Sequence, residues 1–237
     1  MKWRLFALLG LVGTILPVQA AAQSTNDLAF LFGYRMKPGM DDAFADGYRR
    51  HLDWHARNRD SLTWLGWYVI SGPSEGMFVN GTFGVAPRAF DVRVNVQEDG
   101  QDADRNVTAF ATPALREVYR LRRDLGTGAQ LEAGKPATMQ LVAFVKVRAG
   151  GLQGFEKVAR EMAKPRPDAA AYAVYERVAG GDAPGFVLVL QLESWGQLGD
   201  AARDPVRALL REGEAFVEGA VTEVWLFQPE LTYHGVR

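Results

Sequence analysis

The chain contains no cysteine in its 237 residues. Disulfides, thiolate metal sites, a cysteine nucleophile and a thiol-linked lipid anchor are thereby excluded. An excess of charge of one sign is also lacking, since 27 basic residues stand against 28 acidic ones. A general nucleic-acid binder needs a basic face, so nucleic acid is not an expected partner. Beyond residue 22 no apolar run is long enough to span a bilayer. No Gly-rich phosphate loop, GxSxG elbow or Ser/His/Asp arrangement occurs.

The longest apolar run stands at the beginning. Lys2 and Arg4 precede an apolar stretch over residues 5–16, and Pro17 to Ala22 supplies small residues. This is the pattern of a secretory signal peptide, assigned to residues 1–22 with cleavage after Ala20 or Ala22. Cleavage removes two basic residues, leaving 25 against 28 acidic and a net charge of −3. The expectation is a periplasmic or secreted protein with no membrane anchor once the peptide is gone.

What is present, above all, is a repeat. Residues 30–44 read FLFGYRMKPGMDDAF, and residues 141–155 read LVAFVKVRAGGLQGF, offset by 111 positions. In each, an apolar strand ends in a basic residue (Arg35, Lys146) and a Gly-bearing turn follows (Gly39, Gly150). A helix then opens, its first large core residue Phe44 or Phe155. Alternation and turn signals predict strands over 28–36, 62–71, 77–85 and 115–121, with helices over 40–58 and 102–111. The second half predicts strands over 139–147, 171–178, 186–192 and 221–227. Its helices are expected over 152–163, 195–202 and 205–216, the first ended by Pro165 and Pro167. Gly81, inside the third strand, marks a bulge or a close backbone approach. Each half is therefore β-α-β-β-α-β, the ferredoxin-like motif, over residues 28–125 and 138–231 with a linker at 126–137. The fold class is α+β. Two such units cover their open sheet faces by packing sheet to sheet as an intrachain α/β barrel. The result is a monomeric pseudo-dimer or a higher homo-oligomer.

In this topology the chain resembles the dimeric α/β-barrel superfamily. That superfamily includes antibiotic-biosynthesis-type monooxygenases, EthD-like and NIPSNAP-like proteins, and haem-binding chlorite dismutase-like proteins. The resemblance covers both halves and rests on no catalytic motif, so it implies a fold and leaves activity and cofactor unidentified.

The halves differ after Phe44. The first helix carries Tyr48, His51, Trp54 and His55 where the second carries Ala159, Met162 and Ala163. His51 and His55, four apart, share a helix side. They read as buried histidines bonded to a carbonyl or carboxylate, as ligand or acid–base groups, or as two metal ligands. Leu52 stands where an HExxH motif has Glu and no third donor is evident, so no metal is assigned. Tyr34, Tyr48, His51, His55, Trp64 and Asn80 are expected to line a cleft between helix and sheet in the first repeat, taking a small apolar or aromatic ligand. The competing reading is a bulky core with amphipathic residues at its rim. The superfamily resemblance implies another alternative, a cofactor-independent monooxygenase-like enzyme in which His51, His55 and Asn80 deprotonate and orient the substrate. A structural or interaction protein is the third. Arg35 with Glu117 and Lys146 with Glu223 are expected as cross-strand ion pairs, or Arg35 as a substrate anchor. Within the acidic segment 98–106, Asp102, Asp104 and Asn106 alternate like the start of a calcium loop, but Val107 stands at the sixth position, where the loop needs Gly, and Pro113 at the twelfth, where it needs Glu. It reads as a solvated insertion or a lid over the cleft. His234 is expected to be exposed in a tail.

Overall fold

The computed structural model describes residues 26–128, 130–164, 170–199 and 204–236. The expected signal peptide, the two prolines expected to end the helix over 152–163, and the end of the helix expected over 195–202 lie outside the described residues. Eight strands form one closed barrel: β1 (Leu28–Met36), β2 (Leu65–Ser71), β3 (Met77–Val85), β4 (Ala111–Leu121), β5 (Met139–Val147), β6 (Tyr172–Ala179), β7 (Gly185–Leu192) and β8 (Val217–Phe227). Their order around the barrel is β1-β3-β2-β8-β5-β7-β6-β4. Each half keeps its own four-strand order, and the halves join by antiparallel pairing of β2 with β8 and β4 with β6. Among the described residues, closure leaves no unpaired sheet edge.

The alternation of β1 sets up two cores. Ala29 and Leu31 point into the barrel with Trp67, Tyr119, Val142, Tyr175 and Trp225. Phe32 and Tyr34 point outward beneath helix α1 (Asp41–Arg57). Both repeats make the turn before their first helix with a glycine at positive φ, +73° at Gly39 and +77° at Gly150, a region that costs other residues a backbone clash. Asp41 and Asp42 open α1 and Arg57 closes it, which suits the helix dipole at both ends. Phe44 and Phe155 are both fully buried, contributing about 2 kcal/mol each through removal from water. Helix α3 (Leu152–Met162) covers the second half, where Phe155, Ala159 and Met162 pack on β5 and β7 residues. Gly81 is a close approach, since a Cβ there would lie 2.5 Å from Leu31 Cδ2. Short helices α4 (Trp195–Leu198) and α5 (Pro205–Glu212) complete the second repeat.

Three expectations need correction. The helix of the acidic segment begins earlier, as α2 (Val96–Ala103), and runs into a π-helical turn at Asp104–Thr108. The Asn95 side chain accepts from the Glu98 N–H at 3.2 Å and fixes that start. β4 and β8 also begin earlier than predicted, β4 passing through Pro113 at a register shift opposite Gly33 and Tyr34.

That longer pairing overturns the expected ion pairs. Arg35 faces Thr112, and Glu117 faces Leu31; Lys146 faces Gly219, and Glu223 faces Val142. Glu117 and Glu223 are buried on the same strand faces as Tyr119 and Trp225, toward the barrel interior, but bond other partners. Tyr119 and Arg177 bond Glu117. The Trp225 indole N–H donates to Glu223 at 2.8 Å, and the Ser74 N–H donates to it at 3.1 Å. Lys146 pairs at the surface with Asp182 and Glu218. Arg35 is exposed.

Candidate functional site

The outward faces of β1 and β3, the inner side of α1 and the α2 segment enclose a cleft of about 470 Å³. Its walls include Phe30, Phe32, Tyr34, His51, His55, Trp64, Asn80 and Phe90. Five of the six residues expected from sequence thus meet in one space. Tyr48 lies behind them, fully buried, with its ring 4.6 Å from that of Phe78. The Asn80 carbonyl oxygen is buried without a partner. Burial raises Tyr48 well above the ordinary phenol range, the nearby Tyr34 adding to this and Asn80 opposing it. Burial also raises Tyr34, against the pull of Arg116.

The histidines are held by carboxylates. His51 Nδ1 lies 2.9 Å from Asp102 Oδ2, and His55 Nδ1 lies 2.8 Å from Asp60 Oδ2. Asp60 also accepts from the Trp64 indole N–H at 3.0 Å and from the Leu62 N–H at 3.0 Å. Burial alone would raise the Asp60 carboxyl, but these donors outweigh it and hold the group below its usual value. Desolvation lowers His51 to about 4, with His55 and Arg93 adding to the effect and Asp102 opposing it. His51 is therefore neutral at pH 7.

Sequence reasoning missed the residues that complete this floor. Asp99 and Asp102 are 8% and 5% exposed, so these two aspartates of the acidic segment are turned inward against the cleft while Asp104 stays exposed. Asp99 Oδ1 lies 3.7 Å from His51 Nε2 and 3.7 Å from His55 Nε2. It supplies the third donor that the sequence did not show, and the three donor atoms fall within 4.8 Å of one another. Arg93 bonds the other oxygen of Asp99, its guanidinium carbon 5.5 Å from the Phe90 ring centre and 6.0 Å from that of Trp64. Arg116 stands at the rim, 5.9 Å from the Phe32 ring. The tail after β8 also reaches this site: Tyr233 pairs with Trp64 by two backbone hydrogen bonds of 2.8 Å, and its hydroxyl donates to the Asp60 carbonyl. His234, as expected, is exposed. The spacing of aspartates 60, 99 and 102 relative to the histidines follows no motif, so only the pairing of buried His with buried Asp could have found them.

No protein-family model and no curated protein matches this sequence. Solved structures do match in shape. A provisionally assigned monooxygenase from Lactobacillus acidophilus is 9% identical with a TM-score of 0.59, over 88% of this chain and 97% of that one. A second, from Fusobacterium nucleatum, is 7% identical with a TM-score of 0.62, over 84% and 91%. An anthrone oxidase-like protein is 11% identical with a TM-score of 0.54, over 86% and 92%. Chlorite dismutase variants from Candidatus Nitrospira defluvii also match, one at 9% identity and TM-score 0.53, over 87% and 92%. At these identities the likeness is one of fold. The chain adopts the dimeric α/β-barrel fold, with both ferredoxin-like halves in one polypeptide.

Proposed function

We propose that the chain binds a small aromatic molecule in the cleft of the first repeat. The observation that carries this is the unpaired Asn80 carbonyl oxygen, buried among Phe30, Phe32, Trp64 and Phe90. A buried acceptor without a donor costs about 1–3 kcal/mol, and a ligand hydroxyl or N–H placed there removes that cost. The aromatic walls fit a planar ring, and Arg116 at the rim fits a carboxylate on it. The ligand class is thus a hydroxylated aromatic acid or a close analogue. In the second repeat, α3 carries Ala159 and Met162 where α1 carries Tyr48 and His51.

The test is native mass spectrometry of the chain with 4-hydroxybenzoate, comparing wild type with Trp64→Ala and Asn80→Leu. Retention by wild type and loss in both folded variants is expected. Equal retention by all three overturns the assignment.

A second reading is a cofactor-independent oxygenase. It draws support from the monooxygenase assignments of the fold neighbours and from the His55–Asp60 pair, whose Nδ1 bond leaves Nε2 to take a substrate proton. Oxygen uptake with an oxidisable phenol and no added cofactor, lost in His55→Ala, is its test. We also propose export to the periplasm or medium, on the strength of residues 1–22. Its test is an N-terminus beginning after Ala20 or Ala22 in the secreted fraction.

A further inference from the structure

We propose that His51 Nε2, His55 Nε2 and Asp99 Oδ1 form the protein half of a site for a first-row divalent transition metal. The argument starts from hydrogens. Both Nδ1 atoms face carboxylate oxygens, at 2.9 Å on Asp102 and 2.8 Å on Asp60. Carboxylates only accept, so each Nδ1 carries a proton, and the singly protonated form of each ring presents its Nε2 lone pair. Those two lone pairs face Asp99 Oδ1, an acceptor with no hydrogen-bond partner. The separations of 3.7 Å are too long for a hydrogen bond from either ring. Three acceptors therefore converge, buried, with no donor between them. A cation at their centre resolves that repulsion.

The surroundings match what metal ligands require. Each ligating imidazole is held through its other nitrogen by a carboxylate, the arrangement that fixes tautomer and ring orientation. Asp102 is itself held by the Asn106 amide at 3.1 Å. Arg93 bonds Asp99 through Oδ2 and leaves Oδ1 free for the metal. Three donors at about 2.1 Å from a metal stand roughly 3.4 Å apart in a tetrahedral site; the two imidazole–Asp99 separations are 3.7 Å, and the two Nε2 atoms, within 4.8 Å of each other, close by side-chain rotation. Two imidazoles favour zinc, iron, cobalt or nickel over calcium or magnesium. Three protein ligands leave at least one position open toward the cleft, as in catalytic rather than structural sites. The proposal stands on these atoms and not on the identity of the cleft's organic ligand, and it excludes the cofactor-independent reading, because the metal takes the His55 Nε2 lone pair that reading uses as a base.

The test uses the full chain without a histidine tag, stripped with chelator and dialysed. Zn²⁺ is titrated by calorimetry and Co²⁺ by its visible absorption. One equivalent of each is expected, with four-coordinate or five-coordinate cobalt bands. His51→Ala, His55→Ala and the near-isosteric Asp99→Asn should each weaken Zn²⁺ binding at least 100-fold. Asp60→Asn and Asp102→Asn should weaken it about 10–100-fold, and His234→Ala should leave it unchanged. Circular dichroism establishes that each variant is folded; should an alanine variant unfold, Asp99→Asn carries the test. Absence of stoichiometric uptake by the wild type overturns the proposal. So does wild-type affinity in folded Asp99→Asn.

Discussion

Asp60 illustrates how much one side chain holds at this site. It takes hydrogen bonds from His55, Trp64 and the Leu62 backbone. Asp60→Ala leaves those groups buried without an acceptor and is expected to cost roughly 3–5 kcal/mol in urea unfolding. A loss under about 1 kcal/mol would mean that water replaces the carboxylate. His51 makes a second prediction. Its folded-state value is about 4 against an ordinary 6.5, so the unfolded chain takes up the proton first. The stability this represents is complete above about pH 6.5 and falls as pH drops toward 4, by about 3 kcal/mol in all. Unfolding midpoints of the metal-free protein should fall between pH 7 and pH 4.5, and His51→Gln should show a smaller fall. Parallel pH profiles for the two proteins would contradict the assignment.

At the scale of elements, the cleft depends on how closely α1 approaches the turn that follows α2. A Cβ at Gly47 would lie 2.0 Å from the Asn106 carbonyl oxygen and 2.9 Å from the Phe110 ring. Gly47→Ala should therefore push the turn off α1 and cost about 1–3 kcal/mol, with loosened amides over residues 96–108 in hydrogen exchange. Unchanged protection there would show that the lid is not seated on α1. This lid is also where sequence reading fell short. The strands and long helices were legible because their apolar periods are strong and the copies check each other. The lid sequence VQEDGQDA has no apolar stripe, so its start was placed several residues late. Its buried aspartates were legible only through the histidines they meet. The ion pairs failed for a related reason: Glu117 and Glu223 are on the expected strands, but the extra residues at the start of β4 and β8 slide each strand past its predicted partner.

On the scale of the whole molecule, the barrel makes the halves interdependent. Trp67 of β2 packs against Trp225 of β8, their ring centres 6.0 Å apart, and each half alone would expose its inner face and two sheet edges. A fragment of residues 26–128 is expected to self-associate or stay unfolded, measured by sedimentation and near-ultraviolet dichroism. A folded monomer would contradict the closed-barrel account. Within that shared frame the halves diverge at the helix stripe: Phe44 and Phe155 are equivalent, whereas His51 stands where Met162 does. Divergence inside a repeat separates what the fold needs from what the first half adds. The central claim is that the cleft of the first repeat is the binding site. Its most direct test is an amide chemical-shift titration with 4-hydroxybenzoate. The account predicts saturable shifts confined to residues 30–34, 51–64, 80 and 90–103. Saturable shifts in residues 139–227 instead, or none at millimolar probe, would contradict it.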